Sequence, residues 1–280
     1  MKIVITGGSG FIGRAIAQRL RASGHSVAAV SLRTPPGPEV FADCETVVHL
    51  AGEPVAQRWT AAAKERIMNS RVQGTRSLVG ALRQQPPAVL ISASAIGYYG
   101  SRGDEVLTED SPPASDFLGQ VAVAWEQEAL AAEEFGVRVV TPRIGVVLGR
   151  EGGALPKMAL PFRFGVGGRL GDGKQWTSWI HLDDLVALVE FSISTSAIRG
   201  AVNAVAPNPV TNTAFTKELA AALHRPAIFP VPAAALKLLL GEMSQVVLAS
   251  QRVIPEAALR AGFQFRFTDA GEALRQIFAA

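Results

Sequence analysis

A chain of 280 residues with 48% hydrophobic and 18% charged residues can bury a large core, which excludes a disordered, collagenous or coiled-coil protein. The single cysteine, Cys44, permits no internal disulfide, and the net charge of +3 comes from scattered arginines rather than a basic tail, so neither nucleic acid nor a membrane is expected as a partner. No charge-free apolar run reaches the ~18 to 20 residues of a membrane span; the start reaches Gly7 before a signal-peptide apolar region can form, so a cytoplasmic chain is expected, its oligomeric state open.

The β-branched run over 2–6 ends in Gly7-Gly8-Ser9-Gly10-Phe11-Ile12-Gly13, after which Ala15, Ile16 and Leu20 recur at helical spacing until Gly24. In a strand, glycine turn and helix of this kind, glycines let the backbone approach a pyrophosphate at the positive helix end. Gly7, Gly8, Ser9, Gly10, Phe11, Ile12 and Gly13 are therefore predicted to hold a dinucleotide. The second strand, over 27–32, ends Ser31-Leu32-Arg33 with no acid before Glu39. A carboxylate there would bind the adenosine ribose of NAD; its absence, with Arg33 placed to neutralise a 2′-phosphate, predicts NADP(H). Pro35, Pro36 and Pro38 crowd the stretch 33–43, which is too short for a crossover helix and a further strand, so one layer is expected to be trimmed.

Strands over 46–50, 89–92 and 137–141 alternate with helices over 61–82 and 117–134. That order predicts an α/β fold, a Rossmann-type doubly wound parallel sheet covered on both faces, with any ligand along the edge formed by the strand C-termini. On that edge Leu50-Ala51-Gly52-Glu53 offers small residues against which a cofactor can lie, and Ser92 and Ser94 close the next strand. Ser94 is a candidate to hydrogen-bond a substrate oxygen. Lys157, Arg163, Arg169 and Lys174 stand among five glycines, so 164–177 reads as a flexible basic segment over the cleft, suited to clamping an anionic substrate. His181 precedes Asp183 and Asp184 and reads as structural, beside an N-cap carboxylate. After Gly200, prolines punctuate the chain, and an apolar helix over 233–240 is expected to pack through Leu236, Leu239 and Leu240. The expected division is a dinucleotide-binding domain over 1–206 and a smaller C-terminal α/β lobe over 207–280 that sets substrate choice. Four scattered histidines and one cysteine give no metal-ligand spacing.

The triple-glycine turn, Leu50-Ala51-Gly52, Ser92-Ala93-Ser94 and Trp179-Ile180-His181-Leu182-Asp183-Asp184-Leu185 together resemble the extended short-chain dehydrogenase/reductases. Ser70-Arg71, Gly97-Tyr98-Tyr99-Gly100, Asp116-Phe117-Leu118, Trp125-Glu126, Gly152-Gly153-Ala154 and Ser250-Gln251-Arg252-Val253-Ile254-Pro255 are similar to the atypical epimerase-family proteins of that superfamily. The stretch 251–267 resembles their C-terminal domain of unresolved function. The resemblance implies NADP(H) binding and lays the stretch after Arg143 against the nicotinamide, with the Val146 or Val147 backbone as a carboxamide contact. It also draws Arg71, and more weakly Arg66, toward cofactor phosphate or a substrate carboxylate, since a guanidinium stays charged.

Typical members carry Tyr-x-x-x-Lys, whose lysine prepares the tyrosine for proton transfer. This chain has Phe117 and Val121 on the helix that should hold the pair. Its only tyrosines, Tyr98 and Tyr99, follow Ser94 closely, so Tyr98, Tyr99 and Ser94 are the catalytic candidates. Two functions follow. One is an NADP-dependent oxidoreductase or epimerase-like enzyme acting on a small oxygenated substrate; the other is an NADP(H)-sensing binding protein with little or no catalysis.

Overall fold

The computed structural model describes residues 1–32 and 37–279. The β-branched segments form β1 (Lys2–Thr6), β2 (Ser26–Val30), β3 (Thr46–His49), β4 (Val89–Ser92), β5 (Arg138–Ile144) and β6 (Gly200–Ala204). They pair in the order β6-β5-β4-β3-β1-β2, every neighbouring pair parallel. The two-residue strand Ser94–Ala95 adds to the C-terminal end of β5. Helices α1 (Phe11–Ala22), α2 (Ala61–Leu82), α3 (Phe117–Leu130) and α5 (Leu182–Ser194) cover the sheet, while α4 (Leu155–Arg163), α6 (Asn212–Leu223) and α7 (Ala233–Leu240) lie outside it. The doubly wound parallel sheet is thus present. Among the described residues between β2 and β3 stands one 3-10 turn, Pro38–Phe41, whose Phe41 plugs the edge of the core. No α-helix stands there among the described residues, in keeping with the proline crowding.

Alternation along each strand divides the core between the two faces. Ile3, Ile5, Val48, Ile91 and Val140 pack against α1 and α5 through Ile16, Leu20, Leu185 and Leu188. Val4, Val47, Leu90 and Val139 pack against α2 and α3 through Leu78, Leu82 and Ala129. The longest helix, α2, starts where the Thr60 hydroxyl accepts from the Ala63 N–H at 3.2 Å, and α3 starts where Asp116 accepts from Gly119 at 2.8 Å. Each cap satisfies a backbone donor that the first helical turn leaves open.

The second core is not built from residues beyond 206 alone. Leu148, Leu155, Ala159, Phe162 and Trp179 join Phe215, Leu219, Leu274 and Ile277 in one cluster. Conversely, Ala258 and Phe263 return to the first core beside α5. Asp184 fastens this return: its buried carboxylate accepts the N–H groups of Arg266 and Phe267, both at 2.9 Å. Of the three leucines expected to pack inward on α7, Leu236 is buried, whereas Leu239 is 76% exposed. Leu240, four residues on and about 40° around the helix from Leu236, is half-buried on the same stripe, whereas Leu239, three residues on, turns about 60° to the other side and falls off the edge of a narrow buried stripe. The segment over 164–177 is tied down by Phe229 N–H to Gly167 O, Val231 N–H to Arg169 O and Gly171 N–H to Val231 O.

Candidate functional site

The strand order turns back between β1 and β3, which are neighbours in the sheet although β2 comes between them in the chain. At such a switch point the connections leave in opposite directions and open a crevice beyond the strand ends. Gly7 and the Leu50-Ala51-Gly52 turn meet in it. Gly7 has φ +73°, and a Cβ there would stand 2.8 Å from the Ala51 nitrogen, so only glycine fits. A Cβ on Gly13 would lie 2.3 Å from the Gly7 carbonyl oxygen, which makes Gly13 the close-packing residue between helix and turn. Gly10 differs: φ is −73° and its one near contact is the Gly7 oxygen at 3.2 Å. It is exposed and faces the groove.

The groove has a volume of about 1290 Å³, enough for a dinucleotide where drug-sized ligands need roughly 300 to 1,000 Å³. Gly7, Gly8, Ser9, Gly10, Ser31, Leu32, Leu50, Ala51, Gly52, Glu53 and Arg66 line it. Phe11, Ile12, Gly13, Arg71, Ser92, Arg143 and Val146 do not line it, and Arg33 lies outside the described residues. Phe11 instead packs against Gly149 and Gly152, where an added Cβ would come within 2.7 Å of its ring. That contact accounts for the glycines after β5. Asn69, Ser70, Gln73 and Ser77 also line the groove. Sequence reasoning missed them, although with Arg66 they recur at helical spacing along one face of α2.

Arg71 turns beneath the Gly52 turn. Its Nη1 donates to the Glu53 carbonyl at 2.9 Å and the Ile67 carbonyl at 3.2 Å, and its guanidinium lies 5.0 Å from the Trp125 ring centre. Burial lowers its pKa to about 10, so it remains a cation at neutral pH while bracing the turn. Arg66 stays at the groove, 3.6 Å from Glu53.

On the α2-facing side of the sheet, Thr6 and Ser92 flank His49 in register. His49 is fully buried, pairing through Nδ1 with the Thr6 hydroxyl at 2.6 Å and through Nε2 with Thr75 at 2.9 Å. Burial, aided by the charge of Arg71, pushes its pKa from 6.5 down to about 4. As pH falls, the unfolded chain takes up this proton first. The stability tied to neutral His49 is therefore complete above pH 6.5 and is lost progressively toward pH 4, by up to about 3 kcal/mol. Urea unfolding at pH 7 and pH 4.5 should show a smaller loss for His49→Gln than for the parent; equal losses would contradict the assignment.

The catalytic candidates meet a different network. Ser94 donates its hydroxyl proton to Glu126 Oε1 at 2.6 Å. Glu126 is bound from the other side by Arg143, whose Nε and Nη2 donate at 2.8 and 2.9 Å. Arg143 Nη1 donates to the Tyr99 hydroxyl at 2.9 Å, and that hydroxyl donates to Asn203 at 2.6 Å. Burial alone would lower the Arg143 pKa, but hydrogen bonds and charge from Glu126 outweigh it and hold the guanidinium above its ordinary value. Tyr99 is fully buried, and burial pushes its pKa up to about 12 against the opposing pull of Arg143. Tyr98 is half-buried, with the Arg143 guanidinium 3.4 Å from its ring centre.

Ser92 is buried, and its hydroxyl makes no hydrogen bond. The Val146 N–H is taken by the Ser178 carbonyl at 2.9 Å. His181 itself caps α5, its Nδ1 accepting from the Asp183 N–H at 3.1 Å, so the cap is the imidazole and not a carboxylate. Phe117 sits edge-on to Trp59, and Val121 is buried. None of Lys157, Arg163, Arg169 and Lys174 lines the groove. Among the described residues no helix is long and apolar enough to cross a membrane.

The chain matches the model of the NAD dependent epimerase/dehydratase family over residues 3–204 and that of a domain of unknown function, DUF1731, over residues 231–277. It is 40% identical to a chloroplastic epimerase family protein SDR39U1 homolog of Arabidopsis thaliana, covering 99% of this chain and 86% of that one. It is 38% identical to the epimerase family protein YfhF of Bacillus subtilis, covering 100% and 98%. The crystal structure of human epimerase family protein SDR39U1 with NADPH superposes with a TM-score of 0.91 at 35% identity, covering 100% of this chain and 99% of that one. A nucleoside-diphosphate sugar epimerase from Corynebacterium glutamicum superposes with a TM-score of 0.84 at 35% identity, covering 100% of this chain and 58% of that one. With this glycine turn at the switch point, the DUF1731 segment following it in the chain and relatives matching over 86% and 98% of their own length, the chain belongs to the NAD dependent epimerase/dehydratase family, among its SDR39U1-like epimerase family proteins.

Proposed function

We propose that this chain binds NADP(H) in the groove between β1, β3 and α2 and acts as an oxidoreductase or epimerase-like enzyme on a small oxygenated substrate. The observation that carries the reading is the Gly7–Gly10 turn at the N-terminus of α1, with Ser9 and Gly10 exposed, bordering a groove of dinucleotide size. The crystal structure of the human relative with NADPH supports that choice of cofactor. When bound, the cofactor supplies hydride exchange at its nicotinamide.

The chain's residues divide the remaining work. Gly7, Gly8, Ser9 and Gly10 bring the diphosphate against their backbone at the positive end of α1, in a turn closed by the Gly10 N–H bond to the Gly7 carbonyl at 3.0 Å. Ser31 and Leu32 line the adenosine end, with Arg33 proposed from the sequence to neutralise a 2′-phosphate. Of the two phenols, Tyr98 is the one proposed to move a proton, because it is the less buried and has Arg143 over its ring. Ser94 spends its single proton on Glu126, so it presents lone pairs and accepts from a substrate hydroxyl. The relative from Corynebacterium glutamicum makes a sugar nucleotide the first substrate to try.

Titration should show NADPH bound about tenfold or more tighter than NADH, the scale of one charge-assisted contact to a phosphate. Equal affinities would remove the cofactor assignment. With a panel of sugar nucleotides and small carbonyl compounds, Tyr98→Phe should abolish NADPH oxidation and leave NADPH affinity unchanged. If the parent binds NADPH but turns over no substrate in either direction, the reading as an NADP(H) sensor replaces the enzyme.

A further inference from the structure

The basic segment does not border the groove, and its surroundings point elsewhere. In α4, Leu155, Ala159 and Phe162 face the second core. The opposite face carries Lys157, Leu160 and Phe164 at helical spacing, with Arg163 beside them. Val166 follows, and the Phe229 N–H bond to Gly167 O, 3.2 Å, brings Ile228 and Phe229 alongside it. These apolar side chains are open to water: Phe164 is 74% exposed, Ile228 66%, Val166 54%, Phe229 52% and Leu160 51%. Leu238, 87% exposed, follows on α7. None of them lines the cofactor groove.

The charges within the two segments that build this face are of one sign. Residues 157–169 and 225–237 contain Lys157, Arg163, Arg169, Arg225 and Lys237 and not one aspartate or glutamate. All five cations are exposed, and none makes an ion pair among the described residues. Together they exceed the net charge of +3 of the whole chain. Exposed phenyl and aliphatic side chains in segments that also carry exposed, unpaired cations match the boundary of an anionic bilayer, where the apolar groups enter the headgroup layer and the cations meet phosphate. A second copy of the chain is a poor occupant, since pairing this face with itself would bring ten like charges together with no carboxylate to answer them.

We infer that the face built from α4, Val166 and the Ile228-Phe229 turn is a peripheral docking surface for anionic lipid membranes. Such docking is peripheral and needs no spanning helix, of which there is none among the described residues; it departs from the sequence-based expectation that no membrane is a partner. It stands independently of the reaction proposed above.

The test is co-sedimentation of the full chain with vesicles of phosphatidylcholine alone and with vesicles containing about one-third phosphatidylglycerol. Binding to the anionic vesicles should be about tenfold or more stronger and should disappear at high salt. Arg163→Glu with Arg225→Glu, and separately Phe164→Ser with Phe229→Ser, should each reduce it about tenfold or more while NADPH affinity is kept, which shows that the fold survives. Several results would overturn the inference. They are no sedimentation with anionic vesicles, equal binding to both vesicle types, retention of binding by both double variants, or light scattering that finds a dimer dissolved by Phe164→Ser with Phe229→Ser. Binding only to an acidic protein would do so equally.

Discussion

Gly10→Val should leave a folded chain that has lost NADPH. The backbone at Gly10 is in a conformation open to any residue, φ −73°, and its Cβ direction is clear apart from the Gly7 oxygen at 3.2 Å. The branched side chain therefore fits the protein but stands in the groove where the diphosphate must reach the backbone. The fold should lose about 1 kcal/mol, because valine is a poorer helix N-cap than glycine. NADPH affinity should fall by a hundredfold or more, the outcome of removing close backbone approach at a phosphate site. Gly13→Ala makes the contrast. Its single methyl group would lie 2.3 Å from the Gly7 oxygen and 2.8 Å from the Gly8 Cα, both backbone atoms that cannot swing aside. That variant should lose about 1 to 3 kcal/mol or more through overpacking, with lowered thermal stability as its first symptom. Circular dichroism and NADPH fluorescence titration on both variants separate the two effects. A Gly10→Val protein that is folded and still binds NADPH tightly would take the cofactor out of this groove.

Arg143→Met should be among the most destabilising single changes, by about 3 to 5 kcal/mol. Its side chain is 5% exposed and that of Glu126 9%, so the substitution strands a carboxylate that has no water to replace its partner. Tyr99 loses its donor and Ser94 loses the fixed orientation of Glu126 in the same step. Adding Glu126→Leu should recover part of the loss, because a paired removal leaves no buried charge and the two effects are strongly non-additive. Urea unfolding of the two single variants and the double variant measures the coupling. A loss below about 1 kcal/mol for Arg143→Met would mean that the pair is solvated in solution. The same series tests the sequence-based expectation of Arg143 as a cofactor ligand. A cofactor ligand would lower NADPH affinity in the fraction that stays folded, whereas a buried brace lowers stability and leaves that affinity nearly unchanged.

The Gly7-x-x-Gly10-x-x-Gly13 turn was legible because most of its requirements are local: the positive φ at Gly7, the approach of Gly13 to Gly7 and the helix start follow from neighbouring residues, while the approach of Gly7 to Ala51 needs the sheet. The alternating strands and helices were legible for the same reason, since hydrophobic period reports which face each element buries. The trimmed layer after β2 followed from counting residues between prolines. The fate of side chains that reach across the molecule did not. Arg71 and Arg143 read as ligand-seeking cations, because the sequence marks a guanidinium without marking its partner. Their partners stand 18 residues away at Glu53 and 17 away at Glu126, on other elements. His49 carries no spacing signal; its neutral, buried state arises from Thr6 and Thr75, which only the sheet register and the seating of α2 bring to it. The polar face of α2 was written in the sequence as Arg66, Asn69, Gln73 and Ser77, yet solvent and a cofactor groove ask for the same polarity. Local chemistry and periodicity therefore fixed where the chain turns, which faces it buries and where a phosphate can approach. Tertiary structure decided which charges are consumed as braces and which stay open to a ligand or a membrane, because burial and pairing depend on atoms distant in the chain.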